Sequence, residues 1–130
     1  MNPKTTLILI LRLDKQRTMV SSRFLFVNDQ YEEKIDDGIS RIILGYNEDL
    51  MLVKVKFDPG VSVVPHHHFH SQSSYIAKGS FEVTIAGETK TLREGDAFFI
   101  SSDIEHSVIS LEKSEIIDAF SPVREDFLTQ

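Results

Sequence analysis

Short apolar runs separated by turn residues recur along the chain from residue 24 onward, and this pattern predicts an all-β fold. The clearest run covers residues 51–57. Met51, Val53, Val55 and Phe57 share one face of this run, and Lys54 and Lys56 lie on the other. Because successive side chains of a strand point to opposite faces, the run is predicted to be a half-buried strand.

The same reasoning predicts strands at residues 23–27, 39–46, 81–85, 89–92, 97–101, 108–111 and 115–120. Turn signals separate them, with Asp58-Pro59-Gly60 and Ala86-Gly87-Glu88 among the strongest. No long segment has helical periodicity, although the last seven residues could form a single turn. One small β-domain over residues 19–130 is therefore predicted.

Residues 1–18 are interpreted as an extension of this domain. Their apolar run, residues 7–11, has about five residues, fewer than the roughly 7–15 of a signal-peptide core. It is also much shorter than the roughly 20 residues that span a membrane. We expect a short strand, suited to pairing with a sheet edge of a partner in a homodimer.

Composition and charge limit which groups can bind a metal and which partners the protein can have. The chain contains no cysteine, so any metal must be bound through imidazole, amide or carboxylate groups. A formal charge of −6 and the absence of a Lys/Arg block argue against a nucleic-acid partner. With no targeting or membrane segment predicted, we expect a cytoplasmic protein that does not bind membranes.

The stretch VPHHHFHSQ, residues 64–72, contains four of the five histidines of the chain. Neutral imidazole is the commonest protein ligand of divalent transition metals. On a strand His66 and His68 project from one face and can reach one ion, whereas His67 faces the other way. On a straight strand the Cα of His70 lies about 13 Å from that of His66, too far to share the ion unless the chain bends. The sequence thus favours a metal site over a solvated polar loop.

Two motifs resemble those of the cupin superfamily. The first is Gly60-(x5)-His66-x-His68-(x3)-Gln72-(x6)-Gly79, with glutamine in place of the usual glutamate. The second is Gly95-Asp96-Ala97-Phe98-Phe99-Ile100-(x5)-His106, in which Ser101, Ser102 and Glu105 stand where prolines are common. The resemblance covers roughly residues 24–128 and implies a double-stranded β-helix (jelly-roll) barrel.

The resemblance also implies a ligand set. His66, His68, Gln72 and His106 would bind one divalent metal inside the barrel, with the chain bending after His68 and His70 left near the mouth. Three imidazoles and an amide suit Zn, Ni, Fe, Mn and Co almost equally. Since Gln72 is neutral, the site would keep a charge of about +2, which favours polarising an anionic oxygen as a Lewis acid. This favours isomerisation, hydration or ring opening of a small carboxylate-bearing substrate over oxidation.

The C-terminal segment EIIDAFSPVREDF, residues 115–127, resembles the ending of the pectin-degradation (KdgF-like) cupins. Those proteins convert ring-form 4,5-unsaturated uronates from pectin or alginate into linear keto forms. The resemblance implies that Asp118 transfers protons, that Arg124 binds the substrate carboxylate and that Phe120 forms a pocket wall. Asp118 and Phe120 share strand parity, so both can face one cavity. Tyr75, which we expect to face inward beside the first motif, is a further substrate-binding candidate.

Each of these residues also has a structural interpretation. Asp118 could be a solvated residue at a sheet edge, and Arg124 could pair with either of the two acids that follow it. Phe120 and Tyr75 could belong to the core.

Three functions are consistent with the sequence. The first is a metal-dependent enzyme that opens unsaturated uronates or a similar sugar acid. The second is an oxygen-using cupin dioxygenase, and the third is a non-catalytic module that binds a small molecule. The resemblance also implies a homodimer, since small single-barrel cupins commonly form one.

Overall fold

Alternation of inward and outward side chains produces ten strands in the computed structural model, which describes residues 19–128. The strands are β1 (Glu33–Asp36), β2 (Ile39–Tyr46), β3 (Met51–Phe57), β4 (Ser62–His66), β5 (Ser71–Lys78), β6 (Ser80–Ile85), β7 (Glu88–Arg93), β8 (Ala97–Ile100), β9 (His106–Ser110) and β10 (Ser114–Ser121). Two short 3₁₀ helices occupy Val27–Asp29 and Glu125–Phe127. The pairings between these strands are antiparallel.

The strands form two sheets that pack face to face. One sheet has the order β1-β2-β3-β10-β5-β8, and the other has the order β4-β9-β6-β7. The chain crosses repeatedly between them, so that β10, the last strand, lies between β3 and β5. This arrangement confirms the predicted jelly roll.

The buried faces of the strands form two apolar clusters. The larger contains Phe57, Ile76, Phe81, Val83, Val108 and Ile116, and the smaller contains Met51, Val53, Phe120 and Val123. The rings of Phe57 and Phe81 meet edge to face at 5.0 Å and join the two sheets. Burial of each such side chain contributes roughly 1.5–3 kcal/mol. On β10, Ile116 belongs to one cluster and Phe120 to the other, and the buried Asp118 lies between them.

The strand predicted at residues 23–27 is wrong. The segment makes no strand pairing within residues 19–128, and it leads into the 3₁₀ helix Val27–Asp29. Three of its carbonyls accept local hydrogen bonds: the main-chain N–H groups of Asp29 and Gln30 donate to Phe26 and Val27, and the Gln30 side chain donates to Leu25. Phe24 and Phe26 stay 78% and 66% exposed, because alternation alone does not make a strand and this segment pairs with no strand of residues 19–128.

The strand predicted at residues 7–11, together with its role at a dimer interface, lies outside the described residues. In the part of the chain that the structure describes, no helix is long and apolar enough to cross a membrane.

Gly79, where the chain passes from β5 to β6, provides a test of this packing. Its φ is +78°, and a Cβ placed there would overlap the side chain of Ser114 and come within 2.7 Å of the carbonyl oxygen of Lys113. Gly87 has a similar φ of +81°, but a Cβ placed there would meet no heavy atom of residues 19–128 within 4 Å, apart from its chain neighbours. We expect Gly87→Ala to lower the free energy of unfolding by about 1 kcal/mol, from backbone strain alone.

Gly79→Ala should lower the free energy of unfolding by more than about 3 kcal/mol, since steric overlap adds to the same strain. Urea denaturation of the two variants measures the difference. Equal losses would contradict the close packing at this crossing.

Candidate metal centre

Strand pairing brings two histidines of the chain face to face. His66 ends β4 and His106 begins β9, and the two residues are direct partners in the β4–β9 ladder. Their ring centroids lie 4.2 Å apart. His68 follows just after β4 ends, where its carbonyl accepts a hydrogen bond from the main chain of Asp103 at 2.7 Å. Its ring lies 5.8 Å from that of His66 and 4.9 Å from that of His106.

The three rings together can hold a metal ion. One ring nitrogen from each of His66, His68 and His106 lies within 4.8 Å of the other two. The three rings also share one hydrogen-bonding pattern: each Nδ1 lies 2.9 Å from a main-chain carbonyl oxygen. The carbonyls are those of Val64, His70 and Ile104, for His66, His68 and His106 respectively.

This pattern determines the tautomer. An Nδ1 that donates to a carbonyl leaves Nε2 without a proton in a neutral ring, which is the form that binds metals. The Nε2 of His106 is buried and has no hydrogen-bond partner within residues 19–128. A buried acceptor in this state is costly unless a ligand satisfies it.

Gln72 on β5 adds a fourth acceptor. Its Nε2 donates to Ser74 Oγ at 2.9 Å and to Asp118 Oδ1 at 3.2 Å, which turns the amide oxygen toward His68. That oxygen lies 3.0 Å from His68 Nε2. With the tautomer described above, both atoms are acceptors, and a cation between such groups would satisfy them. Three imidazoles and an amide oxygen therefore fit a divalent transition metal ion.

Burial shifts the pKa values of three side chains at the site in favour of their neutral forms. It lowers the pKa of His106 to about 4, and burial together with the charge of Arg124 lowers the pKa of His68. Burial also raises the pKa of Asp118 to about 6, although hydrogen bonds from Ser74 and Gln72 act in the opposite direction. Near pH 7 the rings of His68 and His106 are thus neutral and can act as ligands.

Asp118 is not a solvated edge residue. It lies on the central strand β10, is 8% exposed, and accepts a hydrogen bond of 2.5 Å from Ser74. Its parity with Phe120 places both side chains inside the barrel. The Phe120 ring is 3% exposed and packs in the smaller apolar cluster, and its centroid also lies 5.8 Å from that of His68.

Arg124 makes a two-point contact with a neighbouring acid. Its Nε and Nη2 donate to the two carboxylate oxygens of Asp126 at 3.0 and 2.9 Å. The guanidinium also lies over two aromatic rings, 4.3 Å from the centroid of Phe127 and 5.1 Å from that of Phe120. The side chain of Arg124 is 15% exposed, whereas that of Asp126 is 60% exposed.

The inward orientation predicted for Tyr75 is wrong. The buried residues of β5 are Gln72, Ser74 and Ile76, so Tyr75 falls on the outer face of the sheet and is 49% exposed. Successive side chains of a strand point to opposite faces, so a residue three positions from the inward-facing Gln72 points outward. His67 also lies outside the cluster, where its Nδ1 is 3.7 Å from an Asp103 carboxylate oxygen and its side chain is 65% exposed.

Sequence reasoning missed Ser74, Arg41 and Phe127. Ser74 shares parity with Gln72, which is the signal that could have identified it. Arg41 is an inward-facing charge in the apolar strand β2; it pairs with Glu33 at 3.1 Å, and its guanidinium lies 3.9 Å from the centroid of Phe127. No local pattern distinguishes Phe127 from other terminal aromatic residues.

A cavity of 170 Å³ lies beside the histidines. Its polar wall is formed by His66, Gln72, His106 and Asp118. Its apolar walls are formed by Ile35, Ile39, Val55, Phe57, Val63, Phe98, Val108 and Ile116. A larger surface cavity of 520 Å³ is lined mainly by charged residues in or next to β1, β3 and the start of β10, together with Lys78 at the end of β5, away from the imidazoles. The smaller cavity is the chemically relevant one, since two of the three clustered imidazoles and the buried carboxylate form its wall.

Comparison with known proteins agrees with this geometry. Residues 53–119 match the family described as the Cupin domain. The chain is 46% identical over 109 residues to the pectin degradation protein KdgF of Dickeya dadantii, covering 82% of this chain and 99% of that protein.

Two solved structures are similar along most of the chain. An RmlC-like cupin from Shewanella frigidimarina has a TM-score of 0.82 and 40% identity, covering 84% of this chain and 98% of that one. The structure of KdgF from Halomonas sp. has a TM-score of 0.79 and 38% identity, covering 82% and 99%. This chain therefore belongs to the cupin family.

Proposed function

We propose that this protein is a metal-dependent enzyme that converts ring-form 4,5-unsaturated uronates, released from pectin or alginate, into their linear keto forms. The observation that carries the proposal is the buried Asp118 carboxylate, hydrogen-bonded to Gln72 in the wall of the cavity beside the three imidazoles. The similarity to a pectin degradation protein over nearly its whole length supports the same assignment. His66, His68, Gln72 and His106 are the proposed metal ligands.

The reaction is an isomerisation and needs no oxidant. The proton of the C1 hydroxyl is removed, the bond between C1 and the ring oxygen breaks, and C1 becomes an aldehyde. The electron pair released stays on the former ring oxygen as an enolate at C5, and addition of a proton at C4 completes the 5-keto form. One proton therefore moves from oxygen to carbon, and the enzyme must accept it and then return it.

Asp118 is suited to this proton transfer. A general acid–base group works best when its pKa is near the working pH, and burial raises the pKa of Asp118 to about 6. Ser74 and Gln72 both donate to Oδ1, so the carboxylate is held in one orientation in the cavity wall. In this proposal Asp118 removes the hydroxyl proton and delivers it to C4.

Arg124 is suited to the substrate carboxylate. Its guanidinium already binds the carboxylate of Asp126 at two points, which is the contact that a uronate would make. In this proposal the substrate carboxylate takes the place of Asp126, whose side chain is 60% exposed, while the guanidinium stays over the rings of Phe120 and Phe127. Phe120 would also contact the sugar ring, whereas Tyr75 faces outward and is no longer a substrate-binding candidate.

A divalent ion bound by these ligands would supply positive charge to polarise substrate oxygens, and the neutral Gln72 would leave that charge near +2. The chain itself holds the four ligand atoms in place, keeps His68 and His106 neutral, and lines the adjoining cavity mostly with apolar side chains.

Removal of one imidazole tests the ligand assignment. His68→Ala should weaken metal binding by more than about 100-fold, since loss of even a partner behind a ligand typically costs about 10–100-fold. His67→Ala is the matched control, because the neighbouring ring lies outside the cluster and its loss should leave binding unchanged. Elemental analysis and competition with a chelator measure both variants. Equal metal content in the two would contradict the assignment.

Replacement of Asp118 tests the proton transfer. Asp118→Asn keeps the shape but removes the base, so the rate constant for ring opening should fall by about 10²–10⁴-fold. Loss of the ultraviolet absorbance of the conjugated C4=C5 bond measures the reaction. Glu115→Gln removes an acid from the outward face of the same strand and should have little effect.

The unaltered protein tests the reaction itself. If the metal-loaded protein leaves the absorbance of unsaturated galacturonate and mannuronate products unchanged, the proposed function is wrong. Oxygen uptake would instead support a dioxygenase.

Replacement of Arg124 tests carboxylate binding. Arg124→Lys keeps the charge but loses the two-point contact, and we expect KM to rise by about 10–100-fold with a smaller change in kcat. Arg93→Lys, on the exposed end of β7, is the control for a surface arginine. An unchanged KM in Arg124→Lys would show that the substrate carboxylate binds elsewhere.

A further inference from the structure

We infer that Gln72 and Asp118 are a matched pair, in which the Gln72 amide must donate to Asp118 in order to present its oxygen to the metal. Ser74 is the positioning residue that completes the pair. This pairing accounts for a glutamine at a position where cupins usually have glutamate. It rests on the metal ligands of the proposed function, and it concerns how one of them is oriented.

An amide side chain has two ends of nearly equal size, and only the oxygen can bind a metal. At Gln72 the nitrogen end is held by two acceptors, Ser74 Oγ at 2.9 Å and Asp118 Oδ1 at 3.2 Å. The oxygen end faces His68 Nε2 at 3.0 Å. Rotation of the amide by half a turn would place its oxygen against the Asp118 carboxylate, so the acid selects the orientation.

Strand register keeps the pair together. β5 and β10 are neighbours in the six-stranded sheet, with Asp118 directly opposite Ser74 and Phe120 directly opposite Gln72. Gln72 and Asp118 are therefore diagonal neighbours on the same inner face, where side chains reach one another. Both are buried, at 7% and 8% exposure, so neither can turn to solvent to avoid the other.

The charge of Asp118 makes glutamate unsuitable at position 72. In Gln72→Glu an oxygen would replace the donating nitrogen, and two acceptors would face each other inside the protein. Buried like charges that share no donor are strongly unfavourable. In the double variant Gln72→Glu, Asp118→Asn the roles are exchanged, because the new amide on β10 can donate the hydrogen bond that the new carboxylate on β5 accepts.

A double-mutant cycle on the metal-free full chain tests the coupling, with the midpoint of thermal unfolding as the readout. Gln72→Glu alone should lower the midpoint by about 5 °C or more. In the Asp118→Asn background the same replacement should have less than half that effect. Glu115→Gln removes one acid from the outward face of β10 and serves as the charge control, so it should not rescue Gln72→Glu.

The second readout is the visible spectrum and affinity of bound Co²⁺, which report on ligand geometry without turnover. Ser74→Ala should change the spectrum and weaken Co²⁺ binding by about 10–100-fold. The double variant Gln72→Glu, Asp118→Asn should bind Co²⁺ within a few-fold of the original chain. These results would support the inference whether or not the protein opens uronates.

The pairing is overturned if Gln72→Glu lowers the midpoint equally in the presence and absence of Asp118. It is also overturned if Glu115→Gln rescues as well as Asp118→Asn, since the effect would then be one of total charge. A Co²⁺ site that is unchanged in Ser74→Ala would remove Ser74 from the arrangement. Neither measurement depends on the sugar substrate, so failure of the proposed reaction with an intact cycle would contradict only the reaction.

Discussion

The convergence of hydrogen-bond acceptors on one point inside an apolar barrel is the constraint on which the rest of this site depends. His66, His68 and His106 direct their Nε2 atoms there because each Nδ1 is bonded to a main-chain carbonyl. The oxygen of Gln72 joins them because its nitrogen is already bonded. Unsatisfied buried acceptors are unfavourable, and a cation bound between them would satisfy them. The same hydrogen bonds to main-chain carbonyls that orient the rings therefore also prepare the candidate metal site.

The site exists only where the two sheets face each other. His66 and His106 come from the four-stranded sheet, whereas Gln72, Ser74 and Asp118 come from the six-stranded sheet. Apolar clusters lie on either side of this polar layer, and the larger one contains residues of both sheets and holds them together. A bound ion would therefore join the two sheets across the barrel, and its binding free energy would add to the stability of the fold.

The C-terminal segment organises the positive charge near the site. Phe127 contacts two guanidinium groups, those of Arg41 and Arg124, at 3.9 and 4.3 Å from its ring centroid. Each arginine is also paired with an acid, Glu33 or Asp126. Of the two acids, Asp126 is the more exposed, so solvent screens the Arg124 pair more than the Arg41 pair.

The sequence by itself identified His66, His68 and His106, which the structure brings together, and the face that the inward side chains of most strands occupy. Alternation and turn signals predicted β2, β3 and the five strands from β6 to β10 at least in part, because period two and turn geometry are local properties of the chain. Only the tertiary structure decided whether an apolar run pairs with another strand; within residues 19–128, the run at residues 23–27 pairs with none. It also decided the partners of Gln72. Those outcomes depend on contacts between residues distant in the chain, such as Gln72 with Asp118, and no local pattern encodes the register that brings them together.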